Sequence, residues 1–290
     1  MKSILPTQIS LWRKIVNKLM TILVIVAVAL AVIPLIFILG DVLLRGAAAV
    51  NLTFLTSLPA APTSKNGGIA SPLVGSFTMV GLASLFSIPI GVGAGMFFSE
   101  YSWSKLSTVS GFMNDVLTGF PSMVLGLFVF VVIVLTTKSF SAFAGAVALS
   151  FVMIPIIART TDESLKLVPN TLREASMALG VPRWKTTFRI VVGTGKTGVL
   201  TGIILAVARA TGETAPLILT AFWSTHYATN LFNQPIGSLT YLIYLYGTSG
   251  ASNWETQAWG AALILILIML ALNLFVKVII GRSLTEARMG

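Results

Sequence analysis

Residues 174–190 read EASMALGVPRWKTTFRI and lie in a polar segment, 159–196, between two long apolar runs. Thr171 and Glu174 have the spacing of a capping box, which predicts that a short helix opens there. Gly180 is suited to end that helix. Pro182 favours the first turn of a second short helix that runs to about residue 190. The pattern predicts two short helices separated by a glycine turn.

The first of these helices carries an apolar stripe along one side. Three residues share the stripe, because their spacing of three and four returns to the same side of a helix: Leu172, Ala175 and Leu179. An exposed stripe of this kind fits the groove of a partner protein. We therefore expect the segment to be a docking site.

The rest of the chain is apolar over lengths that match a lipid bilayer. Of its 290 residues, 56% are hydrophobic and 10% are charged, and the mean hydropathy is +0.92. Soluble domains carry about 25% charged residues, and a membrane span needs about 20 apolar residues. We predict an all-α integral membrane protein with six transmembrane helices, at Met20–Leu39, Leu73–Phe98, Val116–Thr137, Ser139–Ala158, Thr197–Ala221 and Thr256–Val276.

The distribution of basic residues predicts the orientation, because cytoplasmic segments are rich in Lys and Arg. With the N-terminus inside, fifteen basic residues fall on the cytoplasmic side: Lys2, Arg13, Lys14, Lys18, Lys105, Arg159, Lys166, Arg173, Arg183, Lys185, Arg189, Lys196, Lys277, Arg282 and Arg288. Only Arg45, Lys65 and Lys138 fall outside. Both termini are therefore expected in the cytoplasm. The net charge of +10 reflects this topology, and we expect no nucleic-acid partner.

The run GTGKT at 193–197 resembles the end of a phosphate-binding loop, G-x-x-x-x-G-K-[ST]. In that alignment Ile190 takes the place of the first glycine, and a β-branched residue disfavours the backbone shape required there. The template also needs a strand–loop–helix unit in a soluble sheet, which this composition does not supply. We therefore expect no nucleotide site in this chain.

The opening stretch resembles the "EAA loop" of ABC importer permeases, E-A-A-x-x-x-G followed by I-x-L-P. Glu174, Ala175, Gly180 and Ile190 stand at the matching positions, whereas Ser176 and the residues after Ile190 depart from the pattern. In that family the loop is the helix that docks on a separate ATPase subunit. The resemblance implies that ATP and Mg²⁺ are bound by that partner, and that this chain has no cofactor and no catalytic residues of its own.

A second stretch, ARATGETAPLILTAFW at 208–223, places charges inside the fifth apolar run. An arginine in mid-membrane costs about 2.5–3.5 kcal/mol, and Glu213 lies one helical turn after Arg209, where the two can pair. Pro216 cannot donate a helical hydrogen bond, so it predicts a helix break, and Thr214 adds a hydroxyl. Two interpretations stay open. Arg209, Glu213 and Thr214 belong to a translocation pathway or gate, or the two charges form a structural ion pair.

This stretch also resembles the permeases of phosphate ABC importers, in which R-x-x-G-E-T-A-P recurs, and it is closer to the PstA-type than to the PstC-type subunit. The similarity continues in GGIASPLVGS (67–76), IPIGVGAGMFFSEY (88–101) and QAWGAALILILIMLALN (257–273). It implies a type I ABC importer permease in a bacterial or archaeal plasma membrane. The implied partners are a second permease (PstC type), an ATPase dimer (PstB type), a phosphate-binding protein (PstS type) and membrane lipid.

These expectations divide the chain into three parts. Residues 1–72 hold the N-terminal cytoplasmic segment, the first transmembrane helix and an outer loop. Residues 73–281 form a five-helix permease core with the coupling loop at 159–196, and residues 282–290 form a cytoplasmic tail.

Three other functions are alternatives to phosphate import. A permease for sulfate, molybdate or phosphonate would carry the same docking loop. An ATP-independent channel or secondary transporter often shows an internal repeat with paired broken helices, and none is evident. An intramembrane enzyme would need paired membrane aspartates or a metal motif, and the chain has neither and a single histidine.

Overall fold

The computed structural model describes residues 11–64 and 67–289, and all of its regular secondary structure is helical. Lys2 and Lys65, two residues of the charge count, lie outside these ranges. The helices are α1 (Leu11–Ala49), α2 (Leu52–Thr56), α3 (Ala70–Glu100), α4 (Lys105–Gly119), α5 (Ser122–Thr137), α6 (Ala142–Lys166), α7 (Asn170–Ala178), α8 (Arg183–Thr211), α9 (Ala215–Thr220), α10 (Leu239–Gly247) and α11 (Ser252–Met289).

The described residues hold five helices long and apolar enough to cross a membrane: α1, α3, α6, α8 and α11. A sixth span results when α4 and α5 are counted together, although the chain bends by 104° between them. The all-α membrane fold is therefore confirmed. The predicted third and fifth spans are not single straight helices.

Helix α6 is the centre of the bundle. It packs against α3, α4, α5, α8 and α9. Many of its buried residues are small, namely Ala142, Ala144, Gly145, Ala146, Ala148 and Ser150. Small residues allow helix backbones to approach closely, and in lipid this packing is a main source of helix association. The core of the fold is consequently built by close backbone contact around α6.

The contact between α3 and α6 depends on two glycines of α3. A Cβ atom at Gly91 would lie 2.7 Å from Cβ of Ile157, and one at Gly95 would lie 2.5 Å from Cβ of Thr161. Gly93 has open space where its side chain would be. Gly91 and Gly95 therefore lie at the contact with α6, whereas Gly93 does not.

The predicted third span is interrupted before Pro121. Phe120 caps α4 with an extended backbone, φ −70° and ψ 136°, and α5 begins at Ser122. A residue before proline is disfavoured in helical conformation, which accounts for the break. Only α5, and not the whole of Val116–Thr137, continues as one apolar helix.

The predicted fifth span ends before Pro216. Helix α8 stops at Thr211, the chain turns through Gly212, and a short helix, α9, starts at Ala215. Pro216 lies in the first turn of α9. The N–H groups of a first turn have no acceptor within the helix, so the missing N–H of proline costs no helical hydrogen bond there. The predicted break is therefore present, but it lies at Gly212–Thr214 rather than at Pro216, because the chain has left α8 before it reaches the proline.

The GTGKT run lies within α8. Gly198 and Gly202, just after it, pack against the side chains of Ser164 and Thr160 on α6. A helix directs its N–H groups along its own axis, so the run forms no phosphate-binding loop.

We predict that Gly95→Ala destabilises the protein by about 1–3 kcal/mol, because the added methyl overpacks the α3–α6 contact. Gly93→Ala is the matched control and should leave stability unchanged. Thermal unfolding of the purified protein in detergent measures both. Equal midpoints for the two variants would contradict the proposed role of the α3–α6 contact.

Candidate coupling loop and membrane ion pair

The predicted docking segment is organised around α7, and its beginning differs from the prediction. The residue that caps α7 is Pro169, and the cap makes no side-chain hydrogen bond. Thr171 and Glu174 both lie inside the helix, so the capping box is wrong. Proline suits this position, because the first N–H groups of a helix have no internal acceptor. Glu174 and Ala175 are both exposed.

The end of α7 agrees with the prediction. Gly180 is left-handed, with φ +77°. Its N–H donates to the carbonyl of Met177 at 2.9 Å, and the N–H of Val181 donates to the carbonyl of Ser176 at 3.3 Å. These two bonds form a Schellman motif, which closes a helix and favours glycine. The strain expected of a side chain at Gly180 comes from the backbone alone, since the space around it is open.

The second short helix does not exist as a separate element. After Pro182 the chain becomes helical at Arg183 and stays helical to Thr211. A wider, π-helical stretch covers Thr186–Val191 and contains Ile190, which is exposed. The predicted helix is therefore the first two turns of a membrane-crossing helix, because no residue near Ile190 terminates it.

The loop exposes several apolar side chains among its polar ones. Four exposed residues define this docking face: Leu172, Ala175, Leu179 and Trp184. Leu179 has 85% of its surface exposed. The stripe predicted from the sequence is thus accessible along its length.

A largely buried arginine attaches α7 to the bundle, and the sequence did not single it out. Nε of Arg173 lies 3.1 Å from Oε1 of Glu100 at the end of α3. Its Nη1 and Nη2 donate to the carbonyls of Val168 (2.6 Å) and Leu165 (2.9 Å), and Nη1 also reaches Oδ1 of Asn170 (3.2 Å). The two charged side chains are 16% and 9% exposed. We call this network the Arg173 clamp.

Helix α8 joins the same network. Thr187 donates a hydrogen bond to Oε2 of Glu100 at 3.3 Å, and the hydroxyls of Ser176 and Thr186 are 2.9 Å apart and buried. The clamp therefore fixes α7 to α3, to the end of α6 and to the start of α8. The only sequence signal was a lone acid, Glu100, at the end of a long apolar run, and its partner is 73 residues away.

The charged pair of the fifth run is present. Nε of Arg209 lies 3.4 Å from Oε1 of Glu213. The pair is asymmetric, since the Arg209 side chain is 60% exposed and that of Glu213 is 14% exposed. Glu213 lies in the turn after α8, where the hydroxyl of Thr240 donates to its carbonyl at 2.9 Å. Thr214 is next in that turn and caps α9.

Arg209 lies beside both interruptions of the bundle. It lines a small pocket together with Phe120 and Ser122 at the α4–α5 bend and Pro155 of α6. Helix α5 packs on α9, where a Cβ atom at Gly126 would lie 2.6 Å from Cα of Pro216. A half-exposed guanidinium thus lies where two broken spans adjoin.

The family model of the binding-protein-dependent transport system inner membrane component matches residues 87–283, which include the clamp, the docking face and the ion pair. This chain belongs to that family. It is a permease subunit of an ABC transporter and a multi-pass inner-membrane protein.

Several relatives are similar to this chain over most of its length. The phosphate transport system permease protein PstA of Haemophilus influenzae is 42% identical over 267 residues, covering 92% of this chain and 94% of that protein. The PstA of Yersinia pestis is 36% identical over 275 residues, covering 94% and 92%. A PstA of Xylella fastidiosa is 42% identical over 241 residues, covering 82% and 83%.

Solved structures show the same fold at low sequence identity. Two inward-facing structures of the MetNI methionine ABC transporter superimpose with TM-scores of 0.60 and 0.57, at 18% and 17% identity. Each match covers 74% of this chain and 94% of the other. The predicted type I ABC importer permease fold is confirmed.

We predict that Arg173→Gln loosens α7. Breaking a buried ion pair leaves Glu100 uncompensated, and we expect amide exchange in residues 170–180 to accelerate roughly 30-fold. Hydrogen exchange with mass spectrometry measures it. Arg189→Gln, an exposed arginine on the neighbouring helix, should leave exchange in α7 unchanged. Unchanged protection in Arg173→Gln would show that the clamp does not hold α7.

Proposed function

We propose that this permease subunit imports inorganic phosphate, driven by ATP hydrolysis on a separate subunit. The observation that carries the proposal is the similarity to proteins named as phosphate transport permeases, at 36–42% identity over most of both chains. The docking face and the asymmetric ion pair support it, because an importer needs a contact with its motor and an accessible cation for an anion.

The proposed assembly contains a second permease subunit of the PstC type and a pair of PstB-type ATPases. A PstS-type binding protein delivers phosphate from outside. ATP and Mg²⁺ bind to the ATPase pair, and this chain has no ATPase site or cofactor of its own. Both termini and α7 face the cytoplasm, as the excess of basic residues on that side favours.

In the proposed mechanism, α7 transmits the ATPase motion. Its docking face enters the ATPase surface, and Glu174, Ala175, Gly180 and Ile190 belong to this coupling loop. The Arg173 clamp joins α7 to the ends of α3, α6 and α8, so a displacement of α7 moves three membrane helices together. Opening and closing of the pathway would then follow as largely rigid motion of the bundle.

Arg209, Glu213 and Thr214 are proposed to line the pathway or its gate. A guanidinium presents a planar fork of donors that matches the oxygens of phosphate. Glu213 is the more buried partner and holds Arg209 in place, while more than half of the Arg209 side chain stays accessible. The short Arg209–Glu213 separation also favours the competing role, a purely structural ion pair. A functional test is therefore needed to separate the two roles.

The function is tested by uptake into proteoliposomes that contain the complete transporter, with ATP inside and binding protein outside. We expect ATP-dependent uptake of phosphate and none of sulfate, molybdate or phosphonate. Gly180→Val should assemble but lose most uptake, because a β-branched residue is strained at positive φ, whereas Gly180→Asn should retain it. Uptake without an ATPase subunit would favour a secondary transporter, and preference for another anion would replace the substrate.

The role of Arg209 is tested by Arg209→Lys, which retains the charge and removes the planar fork. We expect the variant to assemble with its partners, to keep an ion pair with Glu213, and to lose at least about tenfold in phosphate uptake. Arg45→Lys is the control, since Arg45 forms a similar i,i+4 pair with Asp41 at 3.4 Å on α1. Near-normal uptake in Arg209→Lys would leave the pair a structural role.

A further inference from the structure

The turn between α3 and α4 carries two exposed aromatic rings that meet the start of α8. Tyr101 and Trp103 are 44% and 65% exposed, and the centres of their rings are 5.7 Å apart. Cζ of Arg183 lies 4.7 Å from the centre of the Trp103 ring and 5.7 Å from that of Tyr101. Lys105 follows two residues after Trp103 and is also exposed. We call Tyr101, Trp103, Lys105 and Arg183 the aromatic–basic patch.

The two cations of the aromatic–basic patch have no carboxylate partner among the described residues. Other basic side chains of this region are paired, namely Arg159 with Asp115 and Glu163, Lys166 with Asp162, and Arg173 with Glu100. Within the described ranges, the guanidinium of Arg183 has no hydrogen-bond acceptor either. A cation–π contact leaves the five N–H groups of an arginine free to donate. The patch therefore offers positive charge and unused donors.

The aromatic–basic patch lies at the ends of three apolar helices. Helix α3 ends one residue before Tyr101, α4 begins at Lys105, and α8 begins at Arg183. Exposed apolar side chains adjoin the patch on two of these helices, Leu106 on α4 and Phe188 on α8. At a membrane–water interface, apolar side chains are followed by Trp and Tyr and then by Lys and Arg, whose charged ends reach the headgroups. The same order here indicates that the patch lies at the level of the lipid headgroups.

We propose that the aromatic–basic patch binds the phosphodiester headgroup of an anionic membrane lipid. Arg183 presents a planar fork of donors that suits two phosphate oxygens, and Lys105 adds a second positive charge. Tyr101 and Trp103 hold the guanidinium in place. In the orientation proposed above, the patch faces the cytoplasmic leaflet, whose negative surface attracts basic residues. The inference is independent of which anion the transporter imports.

Two other occupants would meet the same charges, a free phosphate ion and an acidic surface of a partner protein. The patch is an open surface, where a single small ion is held only weakly because salt screens its charge. The partner ATPase is proposed to bind the docking face, whose four defining side chains are uncharged. A lipid combines a phosphate with an apolar chain, and this combination matches the basic, aromatic and apolar side chains of the patch and its surroundings.

The chain has no cysteine, so a single introduced one can carry a fluorophore beside the patch. Val109→Cys places it one turn after Lys105 on an exposed position of α4, and Ile25→Cys, on an exposed position of α1, is the control. The complete transporter is reconstituted into phosphatidylcholine liposomes with increasing fractions of brominated phosphatidylglycerol or brominated phosphatidylcholine, because bromine quenches a neighbouring fluorophore. We expect an association constant at least about tenfold higher for phosphatidylglycerol than for phosphatidylcholine at Val109→Cys, and nearly equal constants at Ile25→Cys.

Adding Arg183→Gln to Val109→Cys should lower the preference for phosphatidylglycerol about fivefold, and Lys105→Gln should act in the same direction. Arg45→Gln is the matched control. Arg45 also lies over a ring, 5.2 Å from the centre of Trp259, but it is already paired with Asp41. This control should leave the preference unchanged. Quenching at Ile25→Cys in the Arg183→Gln background checks that the chain remains inserted in the membrane.

Three results would overturn the inference. The first is equal quenching by the two lipids at Val109→Cys, or a preference that neither Arg183→Gln nor Lys105→Gln lowers. The second is displacement of phosphatidylglycerol by millimolar inorganic phosphate, which would assign the patch to a free anion. The third is loss of the ATPase subunit from the Arg183→Gln transporter with the lipid preference unchanged, which would assign the patch to that subunit.

Discussion

Lipid offers no hydrogen bonds, so every backbone group in the membrane must be satisfied within the protein. This chain interrupts two of its spans and meets that constraint by placing the interruptions together. Helix α5 packs on α9, and Gly126 allows the close approach to Pro216. In the turn itself, the N–H of Glu213 donates to the carbonyl of Ala210, and Thr240 donates to the carbonyl of Glu213. The polar site around Arg209 exists because the helices break at positions where neighbouring helices can satisfy the freed backbone groups.

The same bundle accounts for the attachment of α7 to the membrane helices. Helix α6 is surrounded by its neighbours at close range, because small residues line much of its surface. Its last turn supplies the Leu165 carbonyl to the Arg173 clamp, and α3 supplies Glu100. Packing in the membrane and hydrogen bonding at its edge therefore form one continuous body. A loop attached only by its chain ends would be held far less firmly against the bundle.

Three charged pairs of the chain differ in the burial of their partners, and the role that each one suits follows from that difference. In the Arg173 clamp both partners are largely buried and nearly all donors of the arginine are used, which suits a fixed attachment. At Arg209 the acid is largely buried and the cation is accessible, which suits contact with an anion. At Asp162 the acid is again buried, but an acceptor oxygen is left over. The two pairs Arg209–Glu213 and Asp162–Lys166 have the same i,i+4 spacing in the sequence. They nevertheless leave different groups unpaired or accessible.

The sequence alone determined the membrane class, the approximate spans, the glycine turn after α7 and the charged pair, because composition, apolar length and left-handed glycine are local properties. It misjudged the helix start at Pro169 and the continuity through Ile190, because a proline can begin a helix without a side-chain cap and no residue near Ile190 ends one. It also placed the break of the fifth span at Pro216, whereas α8 ends five residues earlier. Only the tertiary structure showed Arg173 with Glu100 and the unused oxygen of Asp162. The first joins residues far apart in the chain, and the second depends on which groups surround a buried side chain, so no local pattern encodes either.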